Sequence, residues 1–200
     1  MLIKKGAMFG LDARIALAIF GALSVVSGAA LYSAIKEARL TAVITEFNEY
    51  GKAFEQYMLD VGEEPGLTPF HYHTEDLVNS TQTGWNGPYF SYNKIINNLV
   101  LEVNSSVFGK VSFLYEKLAN KKWNTNNDWA VEKCVNTVGE PCYVWIRYEF
   151  NEKYLPFVLE LEDKIDETAD RNDGQFRYIH FTTPKVISIF YRYNLAMVQD

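Results

Sequence analysis

The chain is short of the residues from which catalytic and metal centres are usually built. Two cysteines and three histidines (His71, His73 and His180) stand among its 200 residues, too few for a zinc site or a convincing triad. It has no G-x-S-x-G, H-E-x-x-H, P-loop or G-x-G-x-x-G, so nothing points to acyl transfer, metalloproteolysis, or nucleotide or dinucleotide binding. The expectation is a non-enzyme without a cofactor. Six prolines and twelve glycines, with no repeat or biased tract, exclude a collagen-like or low-complexity chain. Positive charge is scarce as well: 19 Lys and Arg face 25 Asp and Glu, for a net charge of −6. Residues 1–35 hold three bases and one acid, which leaves 16 bases against 24 acids in the rest. An acidic body lacks the clustered Lys and Arg that bind phosphates, so nucleic acid is not an expected partner.

Apolar side chains, by contrast, are plentiful. The sequence is 48% hydrophobic, with 13 Tyr, 13 Phe and 4 Trp, and can bury a sizeable core. No charged residue occurs in Ile15–Ile35 (IALAIFGALSVVSGAALYSAI). As a helix, these 21 residues would reach roughly 31 Å, the thickness of a hydrocarbon core. The apolar part of a cleaved secretory signal is shorter, about 7–15 residues. A helix at the core of a soluble domain normally keeps a polar side, whereas Leu17, Ile19, Phe20, Leu23, Val25 and Val26 surround this one. A membrane span is the best fit. Lys4, Lys5 and Arg14 before it, against Lys36 and Arg39 after it, lean towards a cytoplasmic N-terminus.

Cys134 and Cys142 lie far beyond the span. In a reducing compartment they would be two thiols. In an oxidising one they would close a short loop, worth up to ~3 kcal/mol. With the body outside the cytoplasm, a disulfide is the expectation.

Helical periodicity outlasts the apolar run. Leu40, Val43, Ile44, Phe47, Phe54, Tyr57, Met58 and Val61 recur every three or four residues, with acids, amides and lysine between them. Gly62 suits the position just past a helix end, and Pro65 prevents resumption. One helix from about Leu11 to Val61 would be ~75 Å long.

This arrangement resembles the type IV pilins and type II secretion pseudopilins. Their precursors carry a short basic leader, a small residue at the cleavage point, an apolar helix and an amphipathic continuation. Here the leader would be MLIKKGA (residues 1–7), cut between Ala7 and Met8 by a prepilin peptidase. That register makes Asp12 the fifth mature residue, where the family usually has Glu, and puts Gly21 at a common glycine position. Ala7 stands where the family usually has Gly, Arg14 is an extra charge, and the frequent mid-helix proline is missing. The resemblance implies that Asp12 meets the Met8 ammonium of a neighbouring copy in a filament. An Asp12–Arg14 neighbourhood within one chain is the alternative, although side chains two apart on a helix do not face each other. Copies of itself or other pilins, the peptidase, an inner-membrane assembly platform and the membrane itself are the implied partners.

After the helix, residues 62–92 read as loop, punctuated by Gly and Pro. Within it, GWNGPYFS resembles the Trp–x–Gly–Pro–Tyr segment of secretion pseudopilins, which implies that Trp85 and Tyr89 pin a turn onto the helix. His71 and His73 lack a third ligand in spacing. Strands are expected at Leu99–Val103 and Tyr143–Phe150, with a hairpin of Gln175–Phe181 and Val186–Tyr193 around Thr182–Thr183–Pro184. Residues 105–122 read ambiguously, though Val111, Leu114, Tyr115 and Leu118 favour a short helix, and Pro156 would open another with Val158, Leu161 and Ile165 inward. The acidic run LELEDKIDETADRNDGQFRYI also resembles a segment of some pilin-like proteins. Asp166, Glu167, Asp170 and Asp173 offer oxygen ligands for calcium, but the spacing is not an EF-hand, and a solvated turn at Gly174 is the simpler reading.

The expected fold class is therefore α+β, a long N-terminal helix packed on a small antiparallel sheet. Residues 1–7 would be leader, 8–61 the helix and 62–200 a periplasmic or extracellular domain. The expected function is a filament or pseudopilus subunit. The competing class is a membrane-anchored periplasmic binding protein or enzyme that never polymerises.

Overall fold

The computed structural model describes residues 6–123, 134, 141–167 and 170–197, with backbone alone for 6–9 and 11. The chain forms two compact units, Met1–Thr41 and Ala42–Asp200. One helix, α1 (Gly6–Val61), runs through the boundary.

In the first unit α1 is long and apolar enough to cross a membrane. Its apolar side chains are bare on every side: Phe20 is 71% exposed, Val25 73% and Leu31 61%. A soluble helix would bury some of that surface, because the cost of leaving it in water is roughly 25 cal/mol per Å². Ser24 donates its hydroxyl to the Phe20 carbonyl at 2.8 Å, so its polar atom is satisfied within the helix.

In the second unit the periodic apolar stripe of α1 becomes a buried face made by Val43, Phe47, Ala53, Phe54 and Tyr57. At Gly51 a Cβ would run into the Tyr193 ring, so only glycine allows the helix to lie this close. The helix ends where expected. Gly62 takes a positive φ of 86° and donates its N–H to the Met58 carbonyl at 2.8 Å.

The sheet is antiparallel throughout. Its strands are β1 (Leu67–Thr68), β2 (His71–Tyr72), β3 (Lys94–Ile95), β4 (Leu101–Ser105), β5 (Gly109–Ala119), β6 (Cys142–Asn151), β7 (Phe176–Thr182) and β8 (Lys185–Leu195). The spatial order is β1-β2-β5-β6-β8-β7, with β4 also beside β5 and β3 beside β4. Helix α2 (Leu155–Asp166) starts with Pro156 in its first turn and buries Val158 and Leu161, with Ile165 half-buried.

The α+β expectation holds, and so do strand β6 and the β7–β8 hairpin with its Thr182–Pro184 connection. Two expectations need correction. Residues 62–92 are not loop throughout, since they contain β1, β2 and a 3-10 turn at Thr74–Leu77. The short helix within 105–122 does not form; this stretch makes the β4–β5 turn and β5. Val111, Leu114, Tyr115 and Leu118 mimic helical spacing because β5 is buried on both faces, which erases the two-residue alternation.

Those two faces have different chemistry. Towards α1, Phe113, Tyr115, Tyr148 and Tyr191 meet the rings of Phe47, Tyr50 and Phe54, with centroids 4.4–5.1 Å apart for the Tyr50–Phe113, Phe47–Tyr191, Phe47–Tyr148 and Phe54–Tyr115 pairs. Offset and tilted ring pairs of this kind add ~1 kcal/mol each beyond area burial. On the opposite face Leu118, Trp123, Trp145, Ile179, Phe181 and Phe190 form a second cluster. The fully buried Arg177 guanidinium lies 5.0 Å from the Trp123 ring centroid and 4.7 Å from that of Trp145, and donates to the carbonyls of Lys121 (2.8 Å) and Asn120 (3.1 Å). Burial pulls its pKa down to about 10.

Candidate functional site

The N-terminal residues on which an assembly site would rest fall within one continuous helix. Ala7 and Met8 belong to the first turns of α1, their side chains outside the described residues. Asp12 and Arg14 are both exposed on the same helix, and neither has an ion-pair partner among the described residues. Gly21 and Gly28 have open space where a Cβ would stand, so no contact among the described residues requires glycine there.

Cys134 and Cys142 form a disulfide, with Cα atoms 5.8 Å apart. It joins the residues before β6 to the strand's first position, where Cys142 is buried opposite Ala119 and accepts the Ala196 N–H at 2.9 Å. The bond therefore ties Cys134 to the start of β6, which pairs with both β5 and β8.

The GWNGPYFS turn is anchored as expected for Tyr89, whose hydroxyl donates to Asp60 Oδ2 at 3.0 Å and whose ring lies edge-on to Tyr57 at 5.8 Å. Trp85 takes a different partner. Its indole N–H donates to the Asp76 carbonyl at 2.8 Å, so it holds the 3-10 turn rather than the helix.

Asp166, Asp170 and Asp173 are each engaged within the chain. Both oxygens of Asp166 accept backbone N–H groups, from Gln175 at 2.8 Å and Phe176 at 2.7 Å, which starts β7. Asp170 pairs with Lys122, and that hydrogen bond is the main reason its pKa is held down. Asp173 accepts the Gly174 N–H at 2.8 Å and lies 3.8 Å from Arg177. Glu167 takes a left-handed φ of 53° to end the helix. Among the described residues no three His, Cys, Asp or Glu are placed to hold a metal. His71 and His73 diverge: His71 Nδ1 lies 3.2 Å from Glu116, and His73 Nε2 lies 2.9 Å from the Thr68 hydroxyl.

Glu162 is the acid with the most unusual surroundings. It is buried beside Asp163, Asp166 and Asp170, and its Oε1 has no hydrogen-bond partner. Burial first, then the neighbouring carboxylates, push its pKa up to about 7.

Sequence reasoning missed a polar network on the sheet face away from α1. Glu116, 1% exposed, receives Arg147 Nη1 at 3.1 Å; Arg147 Nη2 donates to Glu149 at 2.8 Å and to Ser188 at 3.0 Å; and the Ser188 hydroxyl donates to Glu149 at 3.1 Å. The alternation of Arg147 and Glu149 along β6 signalled this polar row, but Glu116 was hidden inside the stretch read as a helix. No family model, curated protein or solved structure matches this chain.

Proposed function

We propose that this protein is a structural subunit of a type IV pilus-like filament or secretion pseudopilus. The observation that carries the reading is the unbroken helix Gly6–Val61, which serves two environments with one element. Its apolar residues 15–35 are bare, while residues 43–57 bury an aromatic stripe under the sheet. A plain membrane anchor has no use for a small residue and an acid at the spacing of Ala7 and Asp12. Gly21 and Gly28 are small residues on the bare part of α1, where another helix could approach closely.

In this reading the precursor spans the inner membrane once, with its body in the periplasm. A prepilin peptidase cuts after Ala7, and the Met8 ammonium of one copy meets Asp12 of the next. In a filament core an unpaired carboxylate costs several kcal/mol, and the ammonium offsets much of that. The disulfide fits an oxidising compartment.

Mass spectrometry of the N-terminus, in cells that contain the peptidase, tests the reading. A start at Met8 is the expected result. An intact Met1 or Leu2 start in those membranes would instead favour an anchored protein that never polymerises.

A further inference from the structure

A cleft of about 460 Å³ opens in the second unit between the buried half of α1, residues 89–93 and β4. Its walls mix aromatic rings, from Tyr50, Phe90 and Tyr92, with the polar groups of Asn93 and Asn104, and its charge comes from Glu46 and Glu49, which are three residues apart on α1. No Lys, Arg or His lines it. Glu49 is exposed and has no ion-pair partner among the described residues. Glu46 accepts from neutral donors, the Ser106 N–H at 2.7 Å, the Ser106 hydroxyl at 2.5 Å and the Tyr148 hydroxyl at 3.3 Å, and has no ion-pair partner among the described residues.

Part of the lining is held by contacts within the chain. Phe90 stands edge-on to Tyr50, with centroids 5.0 Å apart and planes 89° apart. Asn93 and Asn104 exchange amide hydrogen bonds at 2.8 and 2.9 Å and clamp the far rim to β4. The negative field reaches Tyr50, whose hydroxyl pKa is pushed up to about 12 by burial first and then by Glu46, with Glu49 adding to the effect.

We infer that this cleft binds an organic cation, an alkylammonium or guanidinium group, between its aromatic walls and the two glutamates. Ring faces attract cations through their quadrupole, most strongly where water is partly excluded, and uncancelled carboxylates add a second attraction of the same sign. A small free cation and a basic side chain of a protein share this chemistry. The inference does not depend on polymerisation.

The test is calorimetric titration of the full chain in polyoxyethylene micelles with choline, Nα-acetyl-argininamide and the uncharged carbon isostere of choline. The cations should bind and the isostere should not. Glu49→Gln and Tyr92→Ala should each weaken cation binding roughly five- to tenfold. Both residues are exposed, so the thermal unfolding of these variants should stay at the wild-type temperature. A preference for the arginine amide assigns the source to a protein side chain, and a preference for choline assigns it to a small quaternary amine; both support the inference. Equal binding of choline and its isostere, no binding of either cation at millimolar concentration, or unchanged affinity in Glu49→Gln would overturn it. So would capture of a neutral oligosaccharide by the same cleft with no dependence on Glu49.

Discussion

Arg147 Nη1 donates to Oε1 of Glu116 at 3.1 Å and couples β6 to β5 on the face of the sheet away from α1. Glu116 is buried, its Oε2 has no hydrogen-bond partner, and His71 lies 3.2 Å from the same Oε1. The carboxylate thus depends on its neighbours for compensation. Arg147→Met should destabilise the domain by about 3–5 kcal/mol, because it strands a buried charge. Arg147→Met combined with Glu116→Met should recover most of that loss, since both charges then go together. Chemical denaturation of the three proteins checks this, and a double variant as weak as the sum of two single losses would count against charge compensation.

Glu162 gives the fold a pH dependence of opposite sign to that of a salt-bridged acid. Its folded pKa, about 7, is above the ordinary 4.5, so the fold holds the protonated form more tightly than the unfolded chain does. The contribution is fully present below pH 4.5, falls as pH rises through the folded pKa near 7, and is gone above it. Glu162→Gln, which keeps the shape and removes the titration, should raise stability by about 1–2 kcal/mol in alkaline buffer and change it little in acid. Melting temperatures of both proteins across pH decide the matter; an offset that does not vary with pH would refute it.

The disulfide between Cys134 and Cys142 closes a loop of sequence separation 8. On the chain-entropy model a loop of that size is worth ~2.5 kcal/mol. Replacing both cysteines with serine should lower the melting temperature by several degrees and leave the sheet intact, because the β5–β6 pairing has its own ladder of hydrogen bonds. Non-reducing peptide mapping should recover the two cysteines in one linked fragment. Two alkylated thiols in protein isolated without reductant would contradict the assignment.

Assembly offers the sharpest test of the proposed function. Asp12 is exposed, so Asp12→Ala should leave membrane insertion and the folded body unchanged while filament yield falls. Asp12→Glu keeps the charge and should be tolerated. Arg14→Ala should be milder if Asp12 pairs between chains, and as severe if the two charges serve each other. Sheared filament recovered against monomer in the membrane fraction is the measurement. Normal yield from Asp12→Ala would refute the pairing.

Much of the architecture is legible in one dimension. The charge-free run Ile15–Ile35, the three- and four-residue stripe from Leu40 to Val61 and the stop at Gly62 all belong to single segments, whose periodicity is dictated by local geometry. The same holds for β6 and for the hairpin around Thr182–Pro184, where β-branched and aromatic residues flank a short polar turn. Strand β5 was another matter. A segment buried on both faces shows no alternation, so its sequence is equally consistent with a helix, and only pairing with β4 and β6 makes it a strand. Every site that depends on β5 was hidden with it, above all Glu116 and its bond to Arg147. The Cys134–Cys142 disulfide was expected from the sequence and forms, with Cα atoms 5.8 Å apart, whereas the Tyr50–Phe90–Glu49 cleft joins residues some forty positions apart. Periodicity reports which way a side chain points on its own element; which side chains then meet is set by how the elements pack, and that information exists only in three dimensions.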